Sequence, residues 1–267
     1  MRLCGPAAAS DILGFNLNIW QAIALGIVQG ITEFFPISSS GHLVLLQGLF
    51  GFSEPKIAFD IFLHVGSLVS IFIFFRKDII ELFKNRRLFA LIMTASIPTF
   101  FIGYFMKDMA ESLFAAPKTV GWMLAATGVF LLTASIYSKR SAGQKEPGLL
   151  SSLIVGVAQG IAVIPGISRS GATIGSAILC GMKKEEAVRF SFLLAIPAIL
   201  GASVFKMSDI TGGLSGKESL AFFMGALAAC ITGVIAIKVL LELVKGNRLY
   251  IFGLYCIAVG AVTIIFI

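Results

Sequence analysis

Long apolar stretches dominate the chain and are separated by short polar loops. An α-helix needs ~20 apolar residues to cross a bilayer, and stretches near that length lie at 57–75, 88–106, 118–137, 187–206, 219–243 and 249–267. Backbone in contact with lipid must satisfy its own hydrogen bonds, and the alternating pattern of membrane strands does not occur. The pattern therefore predicts an all-α integral membrane protein with six full spans.

Two further apolar stretches, 19–50 and 149–180, are interrupted near their middles by Pro, Ser and Gly. We call them the first and the second broken segment. Neither can be one continuous helix, because proline removes a backbone donor and breaks a helix. Each is predicted to form two short helices that meet at a bend, as in a re-entrant hairpin. Irregular backbone of this kind is tolerated at membrane depth where protein or a water-filled cavity covers it.

The two broken segments are related in sequence. Residues 26–42 read GIVQGITEFFPISSSGH and residues 156–172 read GVAQGIAVIPGISRSGA, aligned without a gap at an offset of 130. The identical positions are Gly26/Gly156, Gln29/Gln159, Gly30/Gly160, Ile37/Ile167, Ser38/Ser168, Ser40/Ser170 and Gly41/Gly171. The three spans after each segment are separated by about the same offset. The sequence thus predicts two repeats, 1–137 and 149–267, joined by a cytoplasmic linker at 138–148.

Charge sets the predicted orientation. The chain is 57% hydrophobic and 13% charged, with a mean hydropathy of +0.95 and a net charge of +7. Its cations concentrate in alternate loops, which the positive-inside rule places in the cytoplasm. They are Arg76, Lys77, Lys84, Arg86, Arg87, Lys139, Arg140, Lys145, Lys183, Lys184, Arg189, Lys245 and Arg248. Three spans per repeat then give the repeats opposite orientations, with both termini outside. Dispersed juxtamembrane cations do not call for a nucleic-acid partner.

The first broken segment carries candidate acid–base chemistry. Gln29 and Glu33 are four residues apart and share a helix face, and Pro36 follows them. If the next helix begins near Ser38–Ser40, Ser39 and His42 lie on one side of it. A carboxylate, hydroxyls and an imidazole therefore fall within ten residues.

The second broken segment carries a candidate anion site. Pro165 and Gly166 form its bend, and Arg169 stands where the first repeat has Ser39. A helix N-terminus offers free N–H groups to a phosphate, and arginine adds a planar fork. The accompanying hydroxyl donors are Ser168, Ser170 and Thr173, with Ser38 and Ser40 from the first segment.

Structural explanations compete with these interpretations. Most serines in membrane helices bond local backbone or pack closely. Unpaired charge in a bilayer is costly, which favours a function for Glu33 and Arg169, although a purely structural ion pair between them is an alternative. His64 could support the site from behind or serve packing only.

The motifs resemble those of the undecaprenyl-pyrophosphate phosphatases, a membrane enzyme family also called bacitracin-resistance proteins. The first motif is the stretch 29–42, QGITEFFPISSSGH, and the second is 165–173, PGISRSGAT. The resemblance covers essentially the whole chain. The family has Glu or Gln at the first motif position, here Gln29, which weakens that residue as a charged metal ligand.

The resemblance implies removal of the terminal phosphate from a C55 polyprenyl diphosphate, with a divalent cation (Mg²⁺ or Ca²⁺) held by Glu33 and, more weakly, Gln29. It also implies the bacterial inner membrane, a site open to the periplasm and a possible homodimer. We expect Ser39 to be the nucleophile, His42 its base, Arg169 the phosphate clamp, and Glu33 either the cation ligand or an aid to proton transfer. In the rival mechanism, His42 attacks phosphorus directly or activates water. The alternative function is a lipid-phosphate or drug transporter, since inverted repeats with broken helices are a transporter architecture.

Overall fold

The computed structural model describes residues 17–52, 57–114, 116–140, 145–207 and 216–266. Within these ranges the regular secondary structure is helical, apart from an isolated bridge between Lys145 and Met182. Residues 1–16 of the first predicted repeat, residues 141–144 of the predicted linker, and Ile267 lie outside them. The helices are α1 Ile19–Phe34, α2 Ser39–Leu49, α3 Ile57–Phe74, α4 Arg76–Lys84, α5 Arg86–Phe114, α6 Pro117–Arg140, α7 Leu149–Ile161, α8 Arg169–Leu179, α9 Lys184–Met207, α10 Gly216–Lys245 and α11 Leu249–Phe266.

Five of these helices, α5, α6, α9, α10 and α11, are long and apolar enough to cross a membrane. A sixth crossing exists if α3 and α4 count as one broken span, because they are bent by 75° at Phe75. The prediction of an all-α, multi-pass membrane protein is confirmed. Arg76 and Lys77 end the apolar run at this point, and the chain leaves the axis of α3 there.

Each broken segment contains two short helices, as predicted. Ser38 precedes α2 and its hydroxyl accepts the Gly41 N–H at 3.3 Å. Ser168 precedes α8 and accepts the Gly171 N–H at 3.0 Å. Serine oxygens satisfy the free donors of a helix start in this way. The two breaks therefore end at equivalent capping serines.

The breaks differ in length, and that difference matters for the site. Helix α1 continues to Phe34, whereas α7 stops at Ile161, which aligns with Ile31. The added turn of α1 carries Glu33. The residue aligned with Glu33 is Val163, which lies in the longer second break. Only the first broken segment thus places a carboxylate on a helix end.

Close glycine contacts fix each broken segment against a span from the other half. A Cβ on Gly26 of α1 would collide with the carbonyl oxygen of Gly225 on α10. A Cβ on Gly156 of α7 would collide with the carbonyl oxygen of Ala95 on α5. Gly156 stands 130 residues after Gly26, and Gly225 stands 130 residues after Ala95. Only glycine permits this approach of backbones, which small residues favour in membrane helices.

An aromatic core lies beneath the breaks. Phe34 at the end of α1 meets Phe192 of α9 edge-on, with ring centroids 5.3 Å apart. Phe75 packs on the same Phe192 ring at 5.7 Å. All three rings are buried. Helices from both halves therefore enclose the end of α1 and hold its last turn in place.

Candidate active site

Glu33 is the centre of the polar cluster. Its side chain is 4% exposed and lies on the last turn of α1. Gln29, one turn earlier, donates from Nε2 to Glu33 Oε2 at 3.1 Å and to Ser67 Oγ at 3.3 Å. The predicted shared helix face of Gln29 and Glu33 is confirmed. A charge this deeply buried requires partners.

Those partners come from both broken segments. Ser39, the first residue of α2, donates from Oγ to Glu33 Oε2 at 2.5 Å. Arg169, the first residue of α8, donates from its guanidinium to Glu33 Oε1. The Arg169 side chain is 17% exposed, so the ion pair is largely shielded from solvent. Three residues singled out from sequence thus meet at one carboxylate.

His64 is the fourth group at this carboxylate. Its Nε2 lies 3.7 Å from Glu33 Oε2, and its side chain is 32% exposed. Its Nδ1 lies 2.8 Å from the carbonyl oxygen of Asp60, which can only accept, so Nδ1 carries a proton. Of the two sequence-based alternatives, the geometry favours support of the site over packing alone.

His42 has different partners from the one expected. Its Nδ1 lies 2.8 Å from the Ser38 carbonyl oxygen, and its Nε2 lies 2.9 Å from the Tyr255 hydroxyl. The 3-residue spacing does place Ser39 and His42 on neighbouring parts of α2. The bend at Pro36, however, turns Ser39 toward Glu33. Ser39 is therefore hydrogen-bonded to a carboxylate, and its role as a partner of His42 stays a prediction.

Ser38 occupies a backbone conformation that is rare for a residue with a side chain, with φ at 68°. Its counterpart Ser168 has an ordinary φ of −76°. Conformations like that of Ser38 cost about 1–3 kcal/mol and cluster at functional sites. Here the turn directs the Ser38 carbonyl to both the His42 backbone N–H, at 3.2 Å, and the His42 ring.

The predicted phosphate donors of the second segment have local partners. Ser168 and Ser170 lie 3.2 Å apart through their hydroxyls, as Ser38 and Ser40 do at 3.3 Å. Ser170 Oγ also lies 3.1 Å from the Phe35 carbonyl and joins the two breaks.

Thr173 lies deeper in the protein. Its hydroxyl lies 2.5 Å from that of Ser191 on α9 and 2.8 Å from the Arg169 carbonyl. The side chain is fully buried. These contacts hold α8 against α9 directly behind Arg169, so the structure gives Thr173 a supporting place. Phosphate binding by Thr173 and by the four serines stays a prediction.

Besides Ser67 and Ser191, two further groups at the site were not found from sequence. Thr127 of α6 accepts the Ser168 N–H and donates to the Gly166 carbonyl, both at 3.2 Å. Tyr255 of α11 meets His42. Both lie in apolar spans far from the motifs, and neither has a spacing that marks it. Only the folded helices bring them to the breaks.

An oxygen donor for a cation is present. Gln29 Oε1 is buried and has no hydrogen-bond partner. The carboxylate can only accept, so the amide N–H groups must face Glu33 and Oε1 must point away from it. Among the described residues, no three His, Cys, Asp or Glu side chains form a metal-binding group. The donor set therefore fits a hard cation that takes few protein oxygens and completes its shell with phosphate and water.

The arrangement can perform nucleophilic chemistry on an anion. A hydroxyl is bonded to a carboxylate that can accept its proton. A guanidinium and the start of α8, which supply positive charge, lie beside it. The site is thus built from the end of one helix and the starts of two others.

The chain was compared with known proteins. The family model described as "Bacitracin resistance protein BacA" matches residues 22–262. An undecaprenyl-diphosphatase of Halothermothrix orenii is 42% identical over 93% of this chain and 98% of its own length. One of Carboxydothermus hydrogenoformans is 41% identical over 93% and 97%. One of Methanosphaera stadtmanae is 42% identical over 93% and 98%.

Proposed function

This chain belongs to the bacitracin resistance protein BacA family, and on that premise we propose that it is an undecaprenyl-diphosphatase. It removes the terminal phosphate of undecaprenyl diphosphate and releases undecaprenyl phosphate and inorganic phosphate. The observation that carries the proposal is that Ser39 and Arg169 both contact the buried carboxylate of Glu33. A site of this composition suits phosphoryl transfer, which depends on positioning and on charge stabilisation.

The first step is attack by Ser39 on the terminal phosphorus. Ser39 Oγ forms the new P–O bond, and its proton passes to Glu33 Oε2, the acceptor 2.5 Å away. The bond between phosphorus and the bridging oxygen breaks, and undecaprenyl phosphate leaves with the electron pair. Arg169 moves from Glu33 Oε1 to the phosphoryl oxygens as their charge develops. This assignment replaces His42 by Glu33 as the base for Ser39.

The second step is hydrolysis of the phosphoserine. A water oxygen attacks phosphorus while the water proton passes to His42 Nε2. The bond from phosphorus to Ser39 Oγ breaks, Glu33 returns the first proton to that oxygen, and His42 then releases the water proton to solvent. A second base is needed because Glu33 already holds the serine proton. His42, three residues along α2 from Ser39, is the available group.

A divalent cation is part of the proposal. The Glu33 carboxylate would hold it, and rotation of the Gln29 amide would bring Oε1, which has no hydrogen-bond partner, to the same cation. When bound, it would neutralise diphosphate charge and polarise phosphorus.

The two halves are proposed to be inverted repeats, 1–137 and 149–267, with the two broken segments as re-entrant hairpins. The exchange of glycine contacts supports this arrangement: α1 packs on α10 while α7 packs on α5, at the same offset of 130. The α6 and α11 contacts also run antiparallel, since Gly121 meets Gly260 and Gly128 meets Gly253. Repeats of this type bring broken helices together near the membrane midplane.

We place the protein in the inner membrane with its site open to the outer side. The test is labelling by an impermeant thiol reagent in intact cells, on a cysteine-free background. Lys118→Cys should react, and Lys84→Cys should react only after permeabilisation. Labelling of position 84 in sealed cells would reverse the proposed orientation. A homodimer also stays a prediction, which the mass of the detergent-solubilised protein would check.

Phosphate release in detergent tests the function itself. The purified protein should release phosphate from undecaprenyl diphosphate, and Glu33→Gln should not. A transporter would release none, because it moves its substrate without breaking the bond to the terminal phosphorus. The transporter alternative is not favoured, since the positions aligned with Glu33 and His42 are Val163 and Ala172. Binding sites for alternating access have no need of such a one-sided acid–base set.

A further inference from the structure

Tyr255 of α11 and His42 of α2 contact each other through their rings and their polar atoms. The Tyr255 hydroxyl oxygen lies 2.9 Å from His42 Nε2. The ring centroids are 5.7 Å apart with an interplanar angle of 11°. No step of the proposed reaction uses Tyr255, although it touches the nitrogen that accepts the water proton.

The contacts of His42 settle which nitrogen is protonated. The Ser38 carbonyl oxygen can only accept a hydrogen bond, so His42 Nδ1 must donate and carry the proton. In the neutral imidazole, Nε2 then has the free lone pair. The Tyr255 hydroxyl therefore donates to Nε2. The partner of one ring nitrogen fixes the role of the other in this way.

Tyr255 is held at this place by its neighbours on α11. Phe252, one turn earlier, packs on Phe35 with ring centroids 5.0 Å apart. Cys256, the next residue, has its sulfur 3.6 Å from the Pro36 carbonyl oxygen. One face of α11 thus lies against the first break and presents the phenol to His42.

We propose that Tyr255 is a positioning residue for His42. It fixes the ring plane, while the Ser38 carbonyl holds the Nδ1-protonated tautomer, and together these two contacts keep Nε2 in place as the basic nitrogen for the second step. In that step the attacking water takes the place of the phenol at Nε2. Once the imidazole is protonated, the phenol rotates its O–H and accepts from Nε2–H. The proposal rests on the proposed function for the role of His42, but the tautomer assignment rests on contacts alone.

Turnover is the first test. Tyr255→Phe keeps the ring contact and loses the hydroxyl. One hydrogen bond of ordinary strength predicts a fall in kcat of about three- to tenfold, with KM within about twofold of wild type. Tyr137→Phe is the matched control, because Tyr137 of α6 is 39% exposed and Tyr255 is 42% exposed. Equal kcat values for the two variants would overturn the positioning role.

Nitrogen NMR is the second test, because it reports the protonation and hydrogen bonding of each ring nitrogen independently of turnover. The chain has two histidines, so ¹⁵N-histidine labelling gives two rings and His42→Gln identifies the signals of His42. Wild type should show a protonated Nδ1 and an unprotonated Nε2. Tyr255→Phe should move the Nε2 resonance downfield, toward that of a nitrogen without a hydrogen bond, and Tyr137→Phe should not.

The two proposals fail separately. A wild-type ring protonated at Nε2, or an Nε2 resonance unchanged in Tyr255→Phe, overturns the inference even if the enzyme is active. Absence of phosphate release by wild type overturns the proposed function, while the resonances still decide whether Tyr255 donates to His42 Nε2.

Discussion

The hydroxyl of Ser39 lies 2.5 Å from the carboxylate of Glu33, across the break between α1 and α2. The two residues belong to different helices, and the bend at Pro36 brings them together. A hydroxyl bonded to a buried carboxylate is placed to lose its proton when it attacks. The pair therefore replaces the Ser39–His42 pair as the unit that starts the proposed reaction.

Ser39→Ala and Glu33→Gln should each reduce kcat by about two to four orders of magnitude, the range for losing a nucleophile's base. The double variant should be little worse than either single one, because groups that act as a unit are not additive. Phosphate release measures all three. Ser96→Ala, a serine of α5 that bonds only the Ile92 carbonyl, is the control. If the loss of kcat in the double variant equalled the product of the two single losses, Ser39 and Glu33 would act independently.

The identity of the nucleophile predicts which covalent species can be trapped. With labelled diphosphate and a rapid quench, His42→Ala should accumulate phosphoserine at position 39, because its second step lacks a base. Wild type should show little of it. A phosphohistidine, which is lost in acid, would instead appear in Ser39→Ala under alkaline quench if His42 attacked phosphorus directly. That result would reject the order of steps proposed above.

Arg169 should have separable effects on folding and on turnover. Arg169→Leu leaves Glu33 buried without its cation, which costs about 3–5 kcal/mol for a buried pair. Thermal unfolding in detergent should show the loss, and Glu33→Leu added to it should restore most of the stability without activity. Arg169→Lys keeps the charge but loses the fork, so it should fold and still lose about 10²-fold in kcat. Near-normal turnover of Arg169→Lys would exclude the phosphate clamp.

Chelation tests the cation. EDTA should abolish phosphate release, and Mg²⁺ or Ca²⁺ should restore it. Gln29→Ala should raise the cation concentration for half-maximal activity about tenfold, the lower end for a residue that tunes a metal site. Gln159→Ala removes the aligned glutamine of the second segment, whose Oε1 is also buried and unpartnered, and should leave that concentration unchanged. Equal shifts in the two variants would mean that Gln29 acts through packing alone.

The glycine contacts predict stability effects of opposite sign. Gly156→Ala forces a Cβ against the Ala95 carbonyl, a backbone atom that cannot move aside, and should cost about 1–3 kcal/mol. Gly103→Ala meets nothing within 4 Å and should be neutral or stabilise α5 by about 0.5–1 kcal/mol. The unfolding temperatures of the two variants in detergent, each compared with wild type, would measure these opposite effects. A Gly156→Ala protein as stable as Gly103→Ala would mean that the contact is loose.

Local features of the site could be predicted from sequence. The spacing of Gln29 and Glu33 on one helix face depends only on helix geometry. The starts of α2 and α8 follow from a proline and a capping serine in each segment. The lengths of the apolar stretches predicted the long helices, and the sequence repeat aligned Arg169 with Ser39.

Relationships between helices could not be predicted in this way. Ser39 and His42 lie three residues apart on α2, as the sequence predicts. The hydrogen bond of Ser39 to Glu33, however, depends on the angle of the bend, which no local rule supplies. Tyr255 and Ser191 reach the site through packing of distant spans. The turn at Phe75 was also missed, since an apolar run shows where a span ends but not where the chain then goes.

The pairing of Glu33 with Arg169 has a consequence for how the protein is made. The two residues are separated by 136 positions, so synthesis at about 5–20 residues per second leaves the carboxylate without its cation for on the order of ten seconds. During that interval the charged Glu33 side chain stays hydrated, at the surface of the bilayer or in the insertion machinery. The first broken segment is therefore expected to settle in the membrane late, after the second half has arrived.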